Sequence, residues 1–171
     1  MSAANWPACI AFTISAEGGL VDSPDDPGGL TNFGISQAAY PDVDIRGLTA
    51  ESAAAIYARD FWAPVRGDEL PAGVDLMVFD MGVNAGVVRS AKILQRCLGV
   101  DVDGVIGAMQ TLPAARAAAA AELIPALGAA QLAFYESLQG WREFGAGWGE
   151  RVARRLVRAK AMATAMTAPA A

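Results

Sequence analysis

The sequence predicts a mainly α protein with one short β-hairpin near its front. Alanine is abundant, and apolar residues recur at three- and four-residue intervals through most of the chain. Glycine and proline crowd the stretch from Glu17 to Ile35, where a helix cannot run. Hydrophobic residues make up 54% and charged ones 18%, enough to bury a core and to exclude global disorder. A length of 171 residues accommodates one domain, or a small domain with an appended subdomain.

The first helix starts with Asn5 as cap and Pro7 in its first turn, and Trp6, Ile10 and Ile14 form its buried stripe. It stops at Gly18, which places Glu17 on the last turn. Unpaired carbonyls there carry partial negative charge, so the protonated form of the carboxyl is favoured, as a general acid requires. Gly28-Gly29 marks a tight turn or hairpin, and Phe33 to Tyr40 reads as a return strand. A short helix capped by Ser36 and closed by Pro41 follows. Thr49 caps a helix through Ile56, Tyr57 and Phe61, ended by Pro64. After Pro71-Ala72-Gly73, the residues Val74, Met77, Val78, Met81 and Val83 cannot all be exposed. That helix is therefore central, and it ends near Asn84-Ala85-Gly86. The next carries Val88, Ala91, Ile93, Leu94 and Leu98 and closes at Gly99. Asp101-Val102-Asp103-Gly104 is a turn, because a calcium loop needs acids at more positions and a closing Glu. Three helices complete the chain, over Leu112 to Leu123, Pro125 to Leu138 and Gly147 to Met166. Trp148, Val152 and Leu156 form a stripe on the last, and Thr167 to Ala171 frays.

The net charge of −5 is unevenly spread. Up to Ala85, twelve acids face Arg46, Arg59 and Arg66 alone; beyond it, ten basic residues face six acids. An acidic front half argues against nucleic acid. The last basic run, Arg151, Arg154, Arg155, Arg158 and Lys160, reads as a solvated helix face. Histidine is absent, which excludes Ser-His-Asp and Cys-His nucleophilic sites in their usual forms and leaves a poor donor set for zinc. No metal site is expected. Cys9 and Cys97 lie in apolar helical contexts and read as buried free thiols. The first sixteen residues lack the basic start of a secretory signal, and Arg116 and Glu122 interrupt the alanine-rich segment. The expectation is a chain made in the cytoplasm without stable membrane insertion, dependent on an export device for any outside substrate.

Chemistry concentrates around Glu17. Glycosidic hydrolysis needs one carboxylic acid for the leaving oxygen and, with inversion, a carboxylate to activate water. The two must sit in different environments so that their protonation states differ. Glu17 at a helix end and Asp26 in a polar loop meet that demand, with Thr31 placed to hold the water. On chemistry alone Asp22 and Asp25 equal Asp26. The bland alternative is a solvent-facing glutamate beside turn-forming aspartates.

Three motifs carry a resemblance. Glu17-Gly18-Gly19-Leu20-Val21 followed by Asp26-Pro27-Gly28-Gly29-Leu30-Thr31-Asn32-Phe33-Gly34-Ile35 is similar to the signature of glycoside hydrolase family 108. Those muramidases usually show Glu-Gly-Gly-Tyr, so Leu20 replaces the usual tyrosine. Leu76 through Phe79-Asp80 to Val83-Asn84-Ala85-Gly86 resembles the F-D-x-x-V-N-x-G helix of the family. Leu94-Gln95 through Asp103-Gly104-Val105-Ile106-Gly107 resembles the peptidoglycan-binding domain that commonly follows, with Ala108 where proline is frequent. The resemblance implies a lysozyme-like helical domain over 1–86 and a small helical, peptidoglycan-binding-like subdomain over 87–171 packed on it. It implies catalysis by Glu17. Asp26 and Thr31 rest on a looser similarity to tailed-phage lysozymes, which place one more residue before the threonine. Asn32, Asp80, Asn84 and Tyr57 are the candidate substrate contacts. Asp80 serves equally to satisfy a backbone group, Asn84 to end its helix, and Tyr57, like Trp62 and Tyr40, to pack the core.

The reaction so implied is hydrolysis of the β-1,4 bond between N-acetylmuramic acid and N-acetylglucosamine in peptidoglycan strands, without metal or organic cofactor. The missing signal fits a phage or prophage endolysin released through a holin or another export device. The rivals are a lytic transglycosylase using Glu17 alone, a retaining glycosidase with closer carboxylates, and a non-catalytic wall-binding phage component.

Overall fold

The computed structural model describes residues 5–22 and 29–167, so Asp25 and Asp26 lie outside the described residues. Helix α1 runs over Trp6–Glu17 and ends at Gly18, whose φ of 80° a side chain would strain. Asn5 precedes it without a side-chain cap bond; its Nδ2 instead donates to Asp75 Oδ2 at 2.9 Å. Trp6 packs against Trp62 and Phe79, with ring centroids 5.1 and 5.5 Å away.

Strands β1 (Thr31–Asn32) and β2 (Ile35–Ser36) pair antiparallel, Thr31 opposite Ser36 and Asn32 opposite Ile35. The turn between them is Phe33-Gly34, at φ 52° and 76°, the left-handed pair that suits a two-residue hairpin. The tight turn or hairpin expected at Gly28-Gly29 falls partly outside the described residues, which resume at Gly29. Val21 adds a bridge on the other side, exchanging 2.8 and 2.9 Å backbone bonds with Thr31. No helix follows Ser36, contrary to expectation. Ser36 Oγ accepts from Ala39 N, and Gln37 Nε2 donates to the carbonyls of Tyr40, Pro41 and Val43, folding the segment into a turn.

Helix α2 (Ala50–Tyr57) begins with the expected cap. Thr49 Oγ1 accepts from Ser52 N at 3.2 Å while Ser52 Oγ accepts from Thr49 N at 2.9 Å. A π-helical turn over Ala58–Trp62 extends it. Helix α3 (Val74–Ala85) is the hub, buried without interruption from Val74 through Gly82. It packs against α1, α4 (Val87–Leu98), α6 (Ala120–Glu136) and α7 (Trp141–Thr167). The turn after α4 is held by Gln95, whose Nε2 donates to Asp103 Oδ1 at 2.6 Å and whose Oε1 accepts from Gly104 N at 2.8 Å.

The back half differs from expectation in two boundaries. Helix α5 (Thr111–Ala117) stops within the alanine run, and α6 begins at Ala120 and carries Pro125 inside it. Alanines give no local stop signal; the break lets Leu112 and Ala115, then Leu123, Ile124 and Leu127, all reach the core. Helix α7 starts at Trp141 rather than Gly147, so the glycines at 145, 147 and 149 lie inside the helix and do not end it. A Cβ at Gly145 would meet the Trp141 ring at 2.6 Å. One apolar cluster joins both halves, with Ile10, Phe79, Leu94, Leu127 and Val152 among its members. Cys9 and Cys97 are free; Cys9 is buried, which pushes its thiol up, whereas Cys97 is only part-buried. Among the described residues no helix is long and apolar enough to cross a membrane.

Candidate active site

Glu17 stands on the last turn of α1, and its side chain is 19% exposed. Its Oε1 accepts a 2.6 Å bond from Arg151 Nη2, from α7, 134 positions later in the chain. Its Oε2 faces the hairpin turn, where a Cβ on Gly34 would come within 2.7 Å of it and of the Tyr57 hydroxyl. Gly34 thus supplies both the left-handed turn and the room for the carboxyl. The Tyr57 hydroxyl donates to Phe33 O at 2.7 Å, tying α2 to the same turn.

Arg151 is held from behind by Asp80 of α3, through Nε to Oδ2 at 3.0 Å and Nη2 to Oδ1 at 2.8 Å. Asp80 is fully buried, accepts the Thr13 hydroxyl at 2.9 Å, and forms an ion pair with Arg155, whose Nη1 lies 3.2 Å from Oδ2. Burial alone would push the Asp80 carboxyl up. The charge of Arg155, the bonds and charge of Arg151 and the Thr13 hydroxyl outweigh it and hold the group below the usual carboxylate range. For Arg151, burial works against the charge, but Asp80 and then Glu17 keep it firmly protonated. Burial, then the negative charge of Glu17, raises Tyr57 so that its hydroxyl stays a donor.

Beside this cluster lies a groove of about 300 Å³, lined by Ala16, Asn84, Gly147, Trp148, Glu150, Arg151 and Arg154. Asn84, in the last turn of α3, lies there and accepts the Tyr135 hydroxyl at 2.6 Å. The Tyr135 ring stacks on Trp148, with centroids 5.5 Å apart.

The structure thus gathers Glu17, Asp80 and Tyr57 around Arg151 and puts Asn84 in the adjoining groove. Asp80 and Tyr57 are buried at 0% and 2%, so they hold the site together from beneath and present no surface to a glycan. Asn32 is buried too, and its Nδ2 donates to the carbonyls of Ile45 and Leu48 at 3.2 and 3.4 Å, which anchors the hairpin. Thr31 Oγ1 donates to Gly29 O at 3.2 Å. Asp22 pairs with Arg46. Asp26 lies outside the described residues.

One expectation needs correction. The basic run on α7 is not a uniformly solvated face: Arg155 is fully buried and the Arg151 side chain only 13% exposed. Their positions carry the signal that was missed. Residues 148, 151, 152, 155, 159 and 162 fall on one helical stripe, and Val152, Ala159 and Met162 on it are buried. Two arginines inside an apolar stripe require buried carboxylate partners, and α3 offers Asp80. Among the described residues no group of three His, Cys, Asp or Glu side chains is placed to hold a metal ion.

Comparisons with known proteins agree with this architecture. The family model described as Glycosyl hydrolase 108 matches residues 10–86, and the one described as Predicted Peptidoglycan domain matches residues 89–153. Among solved structures, Brucella abortus SagA is 41% identical, with a TM-score of 0.84, over 94% of this chain and 96% of that one. No curated protein matches. The fold is mainly α and lysozyme-like, and the chain belongs to glycosyl hydrolase family 108, as a glycoside hydrolase that acts on peptidoglycan.

Proposed function

We propose that the chain is an N-acetylmuramidase that hydrolyses the β-1,4 bond between N-acetylmuramic acid and N-acetylglucosamine, with Glu17 as general acid. The observation that carries this reading is the seat of Glu17. The carboxyl is largely shielded from bulk water, anchored through one oxygen by Arg151, and next to Ala16 and Arg151, which line a groove. A fixed carboxyl beside a groove is what proton delivery to a bound glycosidic oxygen demands. We assign delivery to Oε2, on the hairpin side, because Oε1 is held by Arg151. Asp26 is the proposed base and Thr31 the proposed water holder; support for them is their spacing from Glu17 in the sequence, eight residues between Glu17 and Asp26 and four between Asp26 and Thr31.

In this proposal residues 1–86 carry the chemistry and residues 87–171 a peptidoglycan-binding-like subdomain. The boundary between the two matching family models supports that division. The proposal extends to a phage or prophage endolysin that reaches the wall through a holin or another export device.

Mass spectrometry of digested purified peptidoglycan tests the reading. Reducing N-acetylmuramic acid ends are expected from the unsubstituted chain, and near-complete loss of product from Glu17→Gln, whose amide cannot donate the proton. An anhydro sugar would instead identify a lytic transglycosylase. Normal digestion by Glu17→Gln would remove Glu17 from the role.

A further inference from the structure

The groove beside Glu17 has a make-up that acid catalysis does not require. Its wall is Trp148, half-buried and braced by Tyr135, Phe144 at 5.8 Å and Trp141 at 6.5 Å between ring centroids. A braced indole loses little freedom when a flat partner stacks on it. Its rim carries Arg154, exposed, with the guanidinium 5.9 Å over the Phe12 ring. Arg151 at the inner end is already engaged by Asp80 and Glu17, whereas Arg154 forms no ion pair among the described residues. The charge of Arg151 is matched by Asp80 and Glu17, which leaves Arg154 as the guanidinium of the lining open to an anionic ligand. At about 300 Å³ it stands at the lower end of small-molecule sites, which run from roughly 300 to 1,000 Å³.

Resting on the muramidase reading, we infer that this groove is the subsite for the carboxylate-bearing sugar of the glycan, its ring on Trp148 and its carboxylate on Arg154. A neutral sugar would use the indole and the Asn84 amide and leave Arg154 idle. An acidic one uses all three, so the groove separates wall glycan from uncharged N-acetylglucosamine polymers. The carboxylate has two sources with one chemistry. A peptide-free muramyl unit presents its lactyl carboxylate; a peptide-bearing one has that group amide-linked and presents the carboxylates of its stem peptide.

Calorimetric titration of the full chain carrying Glu17→Gln avoids turnover. The probes are an alternating N-acetylglucosamine–N-acetylmuramic acid tetrasaccharide without stem peptide, the same glycan with stem peptides, and neutral chitotetraose. Adding Trp148→Ala is expected to weaken all three by about tenfold. Adding Arg154→Gln is expected to weaken an acidic glycan about tenfold and to leave chitotetraose within about twofold. Loss confined to the peptide-free probe assigns the lactyl carboxylate, and loss confined to the peptide-bearing one assigns the stem peptide. Equal losses for acidic and neutral probes, unchanged binding by either variant, or a parent that binds none of the probes overturns the subsite. Unchanged thermal melts separate these results from misfolding. If the subsite fails while lysis still depends on Glu17, the catalytic reading stands; if lysis survives Glu17→Gln, that reading falls while the titrations still report on the groove.

Discussion

Arg151 shows how one side chain ties the chemistry to the scaffold. Its planar fork meets Asp80 through two nitrogens and still reaches Glu17, a geometry that a lysine ammonium cannot reproduce. Arg151→Lys keeps the charge but cannot hold both carboxylates in register, so Glu17 is free to rotate away from the scissile bond. The expected result is a fall in kcat of about 10²-fold, with KM changed far less and a shifted pH–rate profile. Arg151→Gln should lose more activity than Arg151→Lys; a purely structural role would instead lower the melting temperature in both and leave kcat per folded molecule unchanged. The position of Glu17, the proposed acid, was legible in the sequence, because a glutamate between a helical stripe and two glycines announces a helix end. Its partner was not. The pairing spans 134 positions, and nothing near either residue names the other.

At the scale of elements, helix ends with side-chain or glycine signals were read well, and those set by packing were not. Thr49 and Gly99 punctuate locally, so α2 and α4 begin and stop where their residues say. Ala118-Ala119 and Gly145 carry the opposite lesson: alanines interrupt a helix and a glycine sits inside one, since the neighbouring surfaces decide. A tight approach against backbone is at Gly73, the residue before α3, where φ is 83° and a Cβ would lie 2.3 Å from the backbone oxygen of Ala159 in α7. Gly73→Ala therefore combines a left-handed penalty of about 1–2 kcal/mol with overpacking of about 1–3 kcal/mol. Denaturant titration should show a lower midpoint with an unchanged slope. Because α3 holds Asp80 and α7 holds Arg151, residual activity should fall more than the folded fraction does.

Across the whole molecule, the buried Asp80–Arg151–Arg155 cluster joins the front half to the back and makes stability depend on acid pH. The Asp80 carboxyl lies lower folded than its unfolded value of about 3.9. Its contribution is thus fully present above that pH and is lost as pH falls through the lower folded value. Asp80→Asn removes the charge from between two guanidinium groups and should cost roughly 3–5 kcal/mol at neutral pH. Thermal melts from pH 7 to pH 2 are expected to show a flatter acid limb for the variant than for the parent, the two converging at the acid end. Parallel limbs would locate the acid sensitivity elsewhere.

Composition, periodicity and capping residues by themselves determined a mainly α chain with an early hairpin, a central apolar helix and an acid at the end of the first helix. These follow from interactions among residues a few positions apart, and a linear pattern records them. Which arginines turn inward, which aspartate they meet, where an alanine run breaks and which aromatic ring walls the groove were decided only by tertiary structure. Each depends on surfaces brought together from distant parts of the chain, where burial makes an unpaired charge or an empty space costly enough to override local preference.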